Sequence, residues 1–170
     1  MTGVTGLNTE KIIVMGVSGS GKSLVGARLA RTLALPFFDA DDFHSPANIE
    51  KMSNGVPLSD TDRADWLDDL AELIQAHPGL VLACSALKKG YRDRLRLASQ
   101  NLMFLYLEGD IDMVWSRHSQ REDHYFTGKS MLESQFAQLE APTEFEAMAI
   151  DISQSVEVVL KDCLHAIKTR

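Results

Sequence analysis

Cysteine is scarce in this chain: two residues in 170, Cys84 and Cys163, too far apart to form a metal-spaced pair. That scarcity argues against a cysteine-held metal and for a reduced, cytosolic setting. Long apolar runs are missing as well, and none approaches the roughly 18 residues a membrane span needs, so no membrane partner is expected. Met1 to Glu10 carry neither a basic flank nor an apolar core and do not read as a signal peptide. Basic charge is in deficit, with 17 Lys and Arg against 24 Asp and Glu and a net charge of −7. Such a surface repels polyanions and argues against nucleic acid as a main partner. With no repeat, low-complexity tract or linker, the composition of 45% hydrophobic and 24% charged residues reads as one globular domain over 1–170.

What the chain does have is alternation. Strands are predicted at 11–16, 36–39, 79–84, 102–107 and 147–151. Helices are predicted at 22–34, 46–53, 60–76, 88–99, 111–119, 130–139 and 154–168. Leu80-Val81-Leu82-Ala83 and Leu102 to Leu107 are continuous apolar runs, as strands buried on both faces must be. Together these imply an α/β fold, a five-stranded parallel sheet flanked by helices on both faces and joined by right-handed crossovers. Ser45-Pro46 reads as an N-cap followed by proline at the first helical position, and His77-Pro78-Gly79 stops the long helix before it. The polar stretch Gln120 to Lys129 interrupts the alternation; it is a candidate lid, the alternative being a surface loop.

Gly16-Val17-Ser18-Gly19-Ser20-Gly21-Lys22-Ser23 follows the apolar run Ile12 to Met15 and matches G-x-x-x-x-G-K-[ST] at every fixed position. Its glycines allow successive backbone N–H groups to face phosphate oxygens, and the helix beginning near Lys22 adds its positive dipole end. Lys22 is suited to the β- and γ-phosphates and Ser23 to Mg²⁺. The alternative, a glycine-rich turn that happens to carry a lysine, does not explain the strand before it or the amphipathic helix after it. The motif implies a nucleoside triphosphate site of P-loop type.

In such a sheet the site lies beyond the carboxyl ends of the strands. The second strand runs into Asp39-Ala40-Asp41-Asp42-Phe43-His44. Asp39 and Asp41 are two apart and would share a face in extended chain, one to hold Mg²⁺ or its water and one to accept a substrate hydroxyl's proton. A solvated acidic turn is the alternative, and for His44 the alternative is a histidine that only packs or caps. Arg63 precedes Trp66, Leu67, Leu70 and Ile74 at helical spacing, which puts a cation on a buried face at the unfavourable end of its helix. It therefore needs an anion, either Asp60 or Asp62 or a group that arrives with the substrate.

The third strand ends in Cys84-Ser85-Ala86-Leu87-Lys88-Lys89, without the metal-holding Asp of many P-loop proteins. That absence shifts the metal's support to Asp39 and points to a small-molecule kinase. Lys88 and Arg92 are the two cations of the next helix nearest the strand end. Arg117 just before the candidate lid and Arg121 within it suit a nucleotide or the moving phosphoryl group. His118 and His124 lack a third ligand at metal-binding spacing.

These segments together resemble the gluconate kinase family. The matching stretches are GVSGSGKS at 16–23, DADDFH at 39–44, NIEKM at 48–52, GVPLSDTDR at 55–63 with Trp66, and CSALKKGYRDRLR at 84–96. Later come Tyr106 to Gly109, Gln135-Phe136 with Leu139-Glu140 and Pro142, and Asp151-Ile152, so the resemblance covers the chain from Lys11 onward. It implies a fold like the nucleoside monophosphate and shikimate kinases, a mobile lid, a cytoplasmic location and commonly a homodimer. It also implies ATP- and Mg²⁺-dependent phosphorylation of D-gluconate on the 6-hydroxyl. ATP would meet Gly16, Ser18, Gly19, Ser20, Gly21, Lys22, Ser23, Arg117 and Arg121. Asp41, His44, Arg63, Ser85, Lys88 and Arg92 are the candidates for the sugar acid, Ser23 and Asp39 those for the metal. Lys22, Asp41 and Arg121 would carry the catalysis. The competing readings are another small-molecule kinase of shikimate-kinase type and a nucleotide-binding regulatory protein with little turnover.

Overall fold

The computed structural model describes residues 9–119 and 129–170, except for the side chains of His118 and Ser119. The strands β1 (Lys11–Met15), β2 (Phe37–Asp39), β3 (Leu80–Ala83), β4 (Leu102–Glu108) and β5 (Met148–Asp151) form one parallel sheet in the order β2-β3-β1-β4-β5. The chain leaves β1 for the β2 edge, returns through β3, and passes β1 again to reach β4. The carboxyl end of β1 therefore lies where the connections diverge, the place such sheets reserve for ligands.

Alternate residues of β1 explain the two layers. Ile12 and Val14 face α1 (Lys22–Leu33) and α7 (Val156–Thr169) through Leu29, Val159 and Cys163. Ile13 and Met15 face α3 (Asp60–Ala76) and α4 (Lys89–Arg96) through Trp66, Leu70 and Leu95. Each fully buried aliphatic side chain in these layers contributes about 2 kcal/mol. Gly26 lets α1 lie close on the sheet, since a Cβ there would stand 2.8 Å from the Phe37 ring.

Helix α2 (Pro46–Ser53) starts with the Ser45 hydroxyl accepting from Asn48 N, with proline in its first turn. A reciprocal pair opens α3: Ser59 Oγ accepts from Asp62 N, and Asp62 Oδ2 accepts from Ser59 N. Asn48 Nδ2 donates to Asp62 O at 2.8 Å and Lys51 meets Asp62 Oδ1 at 2.8 Å, so α2 is fixed to the start of α3. The remaining helices are α5 (Ile111–Ser119) and α6 (Lys129–Gln138).

Two expectations change. The helix expected over 88–99 is regular only from Lys89 to Arg96, because Ala98 and Ser99 donate three residues back and tighten its end. Residues Ala40–Phe43 form a 3-10 turn rather than extended chain. The expected lid, 120–129, lies outside the described residues except for Lys129, which opens α6.

Candidate active site

β1 ends at Met15 and the chain turns at once. Gly16 (φ 152°), Gly19 (φ 82°) and Gly21 (φ 97°) take backbone angles that side-chain-bearing residues avoid. At Gly16 a Cβ would also stand 2.7 Å from Ser20 Oγ. Gly21 caps α1 without a side-chain hydrogen bond, and α1 has no acidic residue in its first turn. Its leading N–H groups are thus left for an anion. Ser20 turns its hydroxyl inward to Val17 O at 2.7 Å, so it can offer phosphate only its backbone. Lys22 Nζ rests on Val17 O at 3.0 Å. Burial pulls the Lys22 pKa below its usual value, and the nearby Asp41 and Asp39 carboxylates oppose that pull.

The 3-10 turn separates the two aspartates that extended chain would have placed together. Asp39 caps the turn, with Oδ1 accepting from Asp41 N at 3.0 Å, and its Oδ2 accepts from Ser23 Oγ at 2.5 Å. A hydroxyl and a carboxylate, both hard oxygen donors, therefore meet at the end of the phosphate loop, a donor set that fits Mg²⁺. Asp41 instead faces the neighbouring cavity with an 80% exposed side chain. The cleft around it raises its pKa, Lys22 opposes the rise, and Asp39 and Asp42 add to it.

That cavity, of about 310 Å³, is bounded by Ser18, Lys22 and Asp41 on the loop side and by His44, Arg63 and Ser85 elsewhere. Trp66 organises its floor: Nε1 donates to Ala40 O at 2.7 Å, and the ring stacks on His44 at 4.4 Å. The His44 side chain is 4% exposed and its Nδ1 is buried without a hydrogen-bond partner. Burial and then the Arg63 charge lower its pKa to about 4, so the imidazole is neutral at pH 7. Arg63, 9% exposed, gives Nη1 to Leu58 O (2.9 Å), Tyr91 Oη (2.9 Å) and Gln138 Oε1 (3.4 Å).

Neither sequence-local carboxylate pairs with Arg63. Asp62 is engaged by Lys51 and Ser59, whose hydrogen bonds lower its pKa to about 2. Asp60 accepts from Tyr91 Oη and from Lys88 Nζ. Among the described residues Arg63 makes no ion pair. Lys88 is held by Asp60 at 3.1 Å and does not line the cavity.

Arg92 changes role altogether. It is 1% exposed and donates to Ala86 O, Leu87 O and Glu140 O, with Nε 3.1 Å from Glu146 Oε1. Its donors are consumed by protein acceptors, and it joins three chain segments rather than reaching a ligand.

A second cavity of about 270 Å³ lies on the other side of the loop. Gly19, Ser20, Gly21, Leu24 and the Ile152–Val156 turn after β5 bound it, together with Arg117, whose Nη2 donates to Gln154 O at 3.2 Å. Arg121 lies outside the described residues. The loop thus stands between an apolar-walled cavity with one arginine and a cavity carrying the acidic turn and Arg63.

Comparison with known proteins agrees with this layout. The family model described as Shikimate kinase matches residues 18–168. The thermosensitive gluconokinase of Escherichia coli (strain K12) is 42% identical over 164 residues, covering 93% of this chain and 87% of that protein. The chain belongs to the gluconokinase family. A crystal structure of a gluconokinase from Sinorhizobium meliloti 1021 has a TM-score of 0.89 at 38% identity, covering 95% of this chain and 93% of that one. Shikimate kinase from Acinetobacter baumannii, at 16% identity and a TM-score of 0.65, shares the fold.

Within this gluconokinase-family site, sequence reasoning missed three contributors. Tyr91 reads as part of an apolar stripe, yet its hydroxyl links Arg63 to Asp60. Gln135 and Gln138 stand three apart on α6, a spacing that puts them on one helix face, and both line the Arg63 cavity. Gln135 stood in the matching stretch Gln135-Phe136 with no role assigned, and its spacing to Gln138 was the other visible sign.

Proposed function

We propose that the chain transfers the terminal phosphoryl group of ATP to the 6-hydroxyl of D-gluconate, giving 6-phospho-D-gluconate and ADP. The observation that carries this reading is Arg63, a buried guanidinium without an ion pair among the described residues, in the same cavity as Lys22 and Asp41. A sugar acid supplies what that cavity lacks: a carboxylate for Arg63 at one end and a hydroxyl for Asp41 at the other. A planar guanidinium donates two parallel hydrogen bonds to such a carboxylate.

The residues divide the work as follows. The nucleoside lies in the cavity beside Arg117, and the phosphates follow the N–H groups of Gly19 to Ser23 toward Ser18. Ser23 Oγ and Asp39, directly or through a water, would hold Mg²⁺, which would supply charge neutralisation to the phosphates. Asp41 aligns the acceptor hydroxyl and takes its proton. Phosphoryl transfer has a loose transition state, so this alignment matters more than base strength. Lys22 then offsets charge growing on the transferred group. Neutral His44 and Ser85 bond to the sugar hydroxyls, while Lys88 assists from outside by fixing Asp60. Arg121 is proposed to reach the phosphates from the lid. A cytosolic location and a homodimer complete the proposal; among the described residues no helix is long and apolar enough to cross a membrane.

The test is ADP release measured with D-gluconate, shikimate, nucleoside monophosphates or no acceptor, with the product position read by phosphorus NMR. Turnover with gluconate and phosphorus on C6 is expected. Acceptor-independent hydrolysis, or turnover with shikimate or a monophosphate alone, would overturn the proposal.

A further inference from the structure

The phosphate loop is not empty-handed. Ser18 N donates to the side-chain amide oxygen of Gln135 at 2.7 Å, across 117 residues of sequence. An N–H has to meet an acceptor, so the oxygen end of that amide is the end turned to the loop. Gln135 sits on α6, whose carboxyl-terminal side is anchored by Glu140: its N donates to Leu87 O at 2.8 Å and its Oε1 accepts from Lys89 N at 2.7 Å. One turn further along α6, Gln138 accepts from Arg63.

Ser18 occupies a particular place in the loop. It lines the cavity of Asp41 and Arg63, whereas Gly19, Ser20 and Gly21 line the nucleoside-side cavity. A phosphate chain running from one cavity to the other brings its terminal group, the one to be transferred, to the Ser18 N–H. We infer that Gln135 is a surrogate ligand of the phosphate loop, holding the Ser18 N–H in place of the terminal phosphate and yielding it when a nucleoside triphosphate binds. Gln135 thereby keeps the place of the transferable group until the nucleotide arrives, on the same helix face that touches Arg63.

The chemistry suits an exchange. A neutral amide oxygen keeps the partly buried N–H satisfied, which lowers the cost of an orphaned donor. A phosphate oxygen makes a charge-assisted bond about twice as strong and displaces it. A carboxylate would hold the N–H more tightly and set a fixed negative charge where the phosphate must go.

The inference rests on the kinase reading above, and its test uses nucleotides without acceptor, so a wrong acceptor leaves it intact. Affinities of ADP and of a non-hydrolysable ATP analogue, each with Mg²⁺, are measured by calorimetry for the wild type, Q135A and Q135E. Removing the competing amide in Q135A should tighten the analogue by roughly three- to tenfold relative to ADP. Q135E should weaken the analogue by at least roughly tenfold more than ADP. If Q135A folds poorly, Q135N, one methylene too short for Ser18, should give the same shift. An analogue-to-ADP ratio unchanged in Q135A, or both nucleotides weakened alike, would show that Gln135 merely braces the loop.

Discussion

Replacing Arg63 with leucine separates its two possible duties. If the guanidinium holds the acceptor's carboxylate, the variant loses a bidentate, charged pair of hydrogen bonds, worth about 1.5–3 kcal/mol. At about 1.4 kcal/mol per tenfold, the gluconate KM should rise roughly ten- to hundredfold, while the ATP KM stays near its wild-type value. Stability involves opposing effects. Of the three acceptors of Arg63, Tyr91 Oη keeps its bond to Asp60 and the partly buried Gln138 Oε1 can turn to water, which leaves Leu58 O as the orphan. That costs about 1–3 kcal/mol, and relief of a 9% exposed cation without an ion pair offsets it. The melting temperature should therefore move by only a few degrees. Arg63→Lys, which keeps the charge but not the fork, should fall between the two. Steady-state ADP release and a thermal melt decide the matter: an early melt with gluconate KM unchanged would make Arg63 a structural residue and refute the assignment.

Lys22→Ala should act mainly on kcat, by roughly 10²–10³-fold, because the loop backbone still binds the phosphates; a large loss of ATP affinity with kcat intact would contradict this. Asp41→Asn should lower kcat by at least on the order of 10²-fold and remove the acid limb of the rate profile, which the raised pKa of Asp41 shifts upward. If Asp39→Asn alone loses turnover, the two aspartates exchange roles. The fold should weaken as pH falls from 6.5 toward 4, because His44 stays neutral to about 4 when folded and takes a proton near 6.5 when unfolded. That contribution is fully present above 6.5 and amounts to about 3 kcal/mol at most. His44→Phe, which can keep the stack on Trp66, should flatten the pH dependence of denaturant unfolding in that window.

Much of this was legible in the sequence because it is written locally. Apolar runs fixed the strands to within a residue or two, and Ser45-Pro46 announced its helix through a cap that needs only neighbours. The burial of Arg63 followed from its spacing to Trp66 and Ile74. What stayed hidden depends on contacts distant in sequence. Lys88 and Arg92 looked alike as cations near the end of β3, yet Arg92 turns inward because the carbonyl of Glu140 and the carboxylate of Glu146 wait for it. The split between Asp39 and Asp41 arises from a four-residue 3-10 turn too short to leave a period. Gln135 carries no local sign that it will meet Ser18.

The inward turn of Arg92 has a mechanical side. One guanidinium joins the residues after β3, the residues after α6 and the approach to β5, and Arg96 adds a second contact to Glu146 at 3.0 Å. The carboxyl end of α6 is therefore a pivot, and the helix is a lever whose far end is at Lys129, with Nζ 4.0 Å from Asp112 Oδ1. At about 1.5 Å rise per residue, Met131 lies about 10 Å along the lever from Gln138. A rotation of about 10° would carry Met131 through about 2 Å while Gln138 barely moves. Any tilt of α6 thus reshapes the mouth of the cavity at Met131 and leaves the contact with Arg63 close to the fulcrum undisturbed.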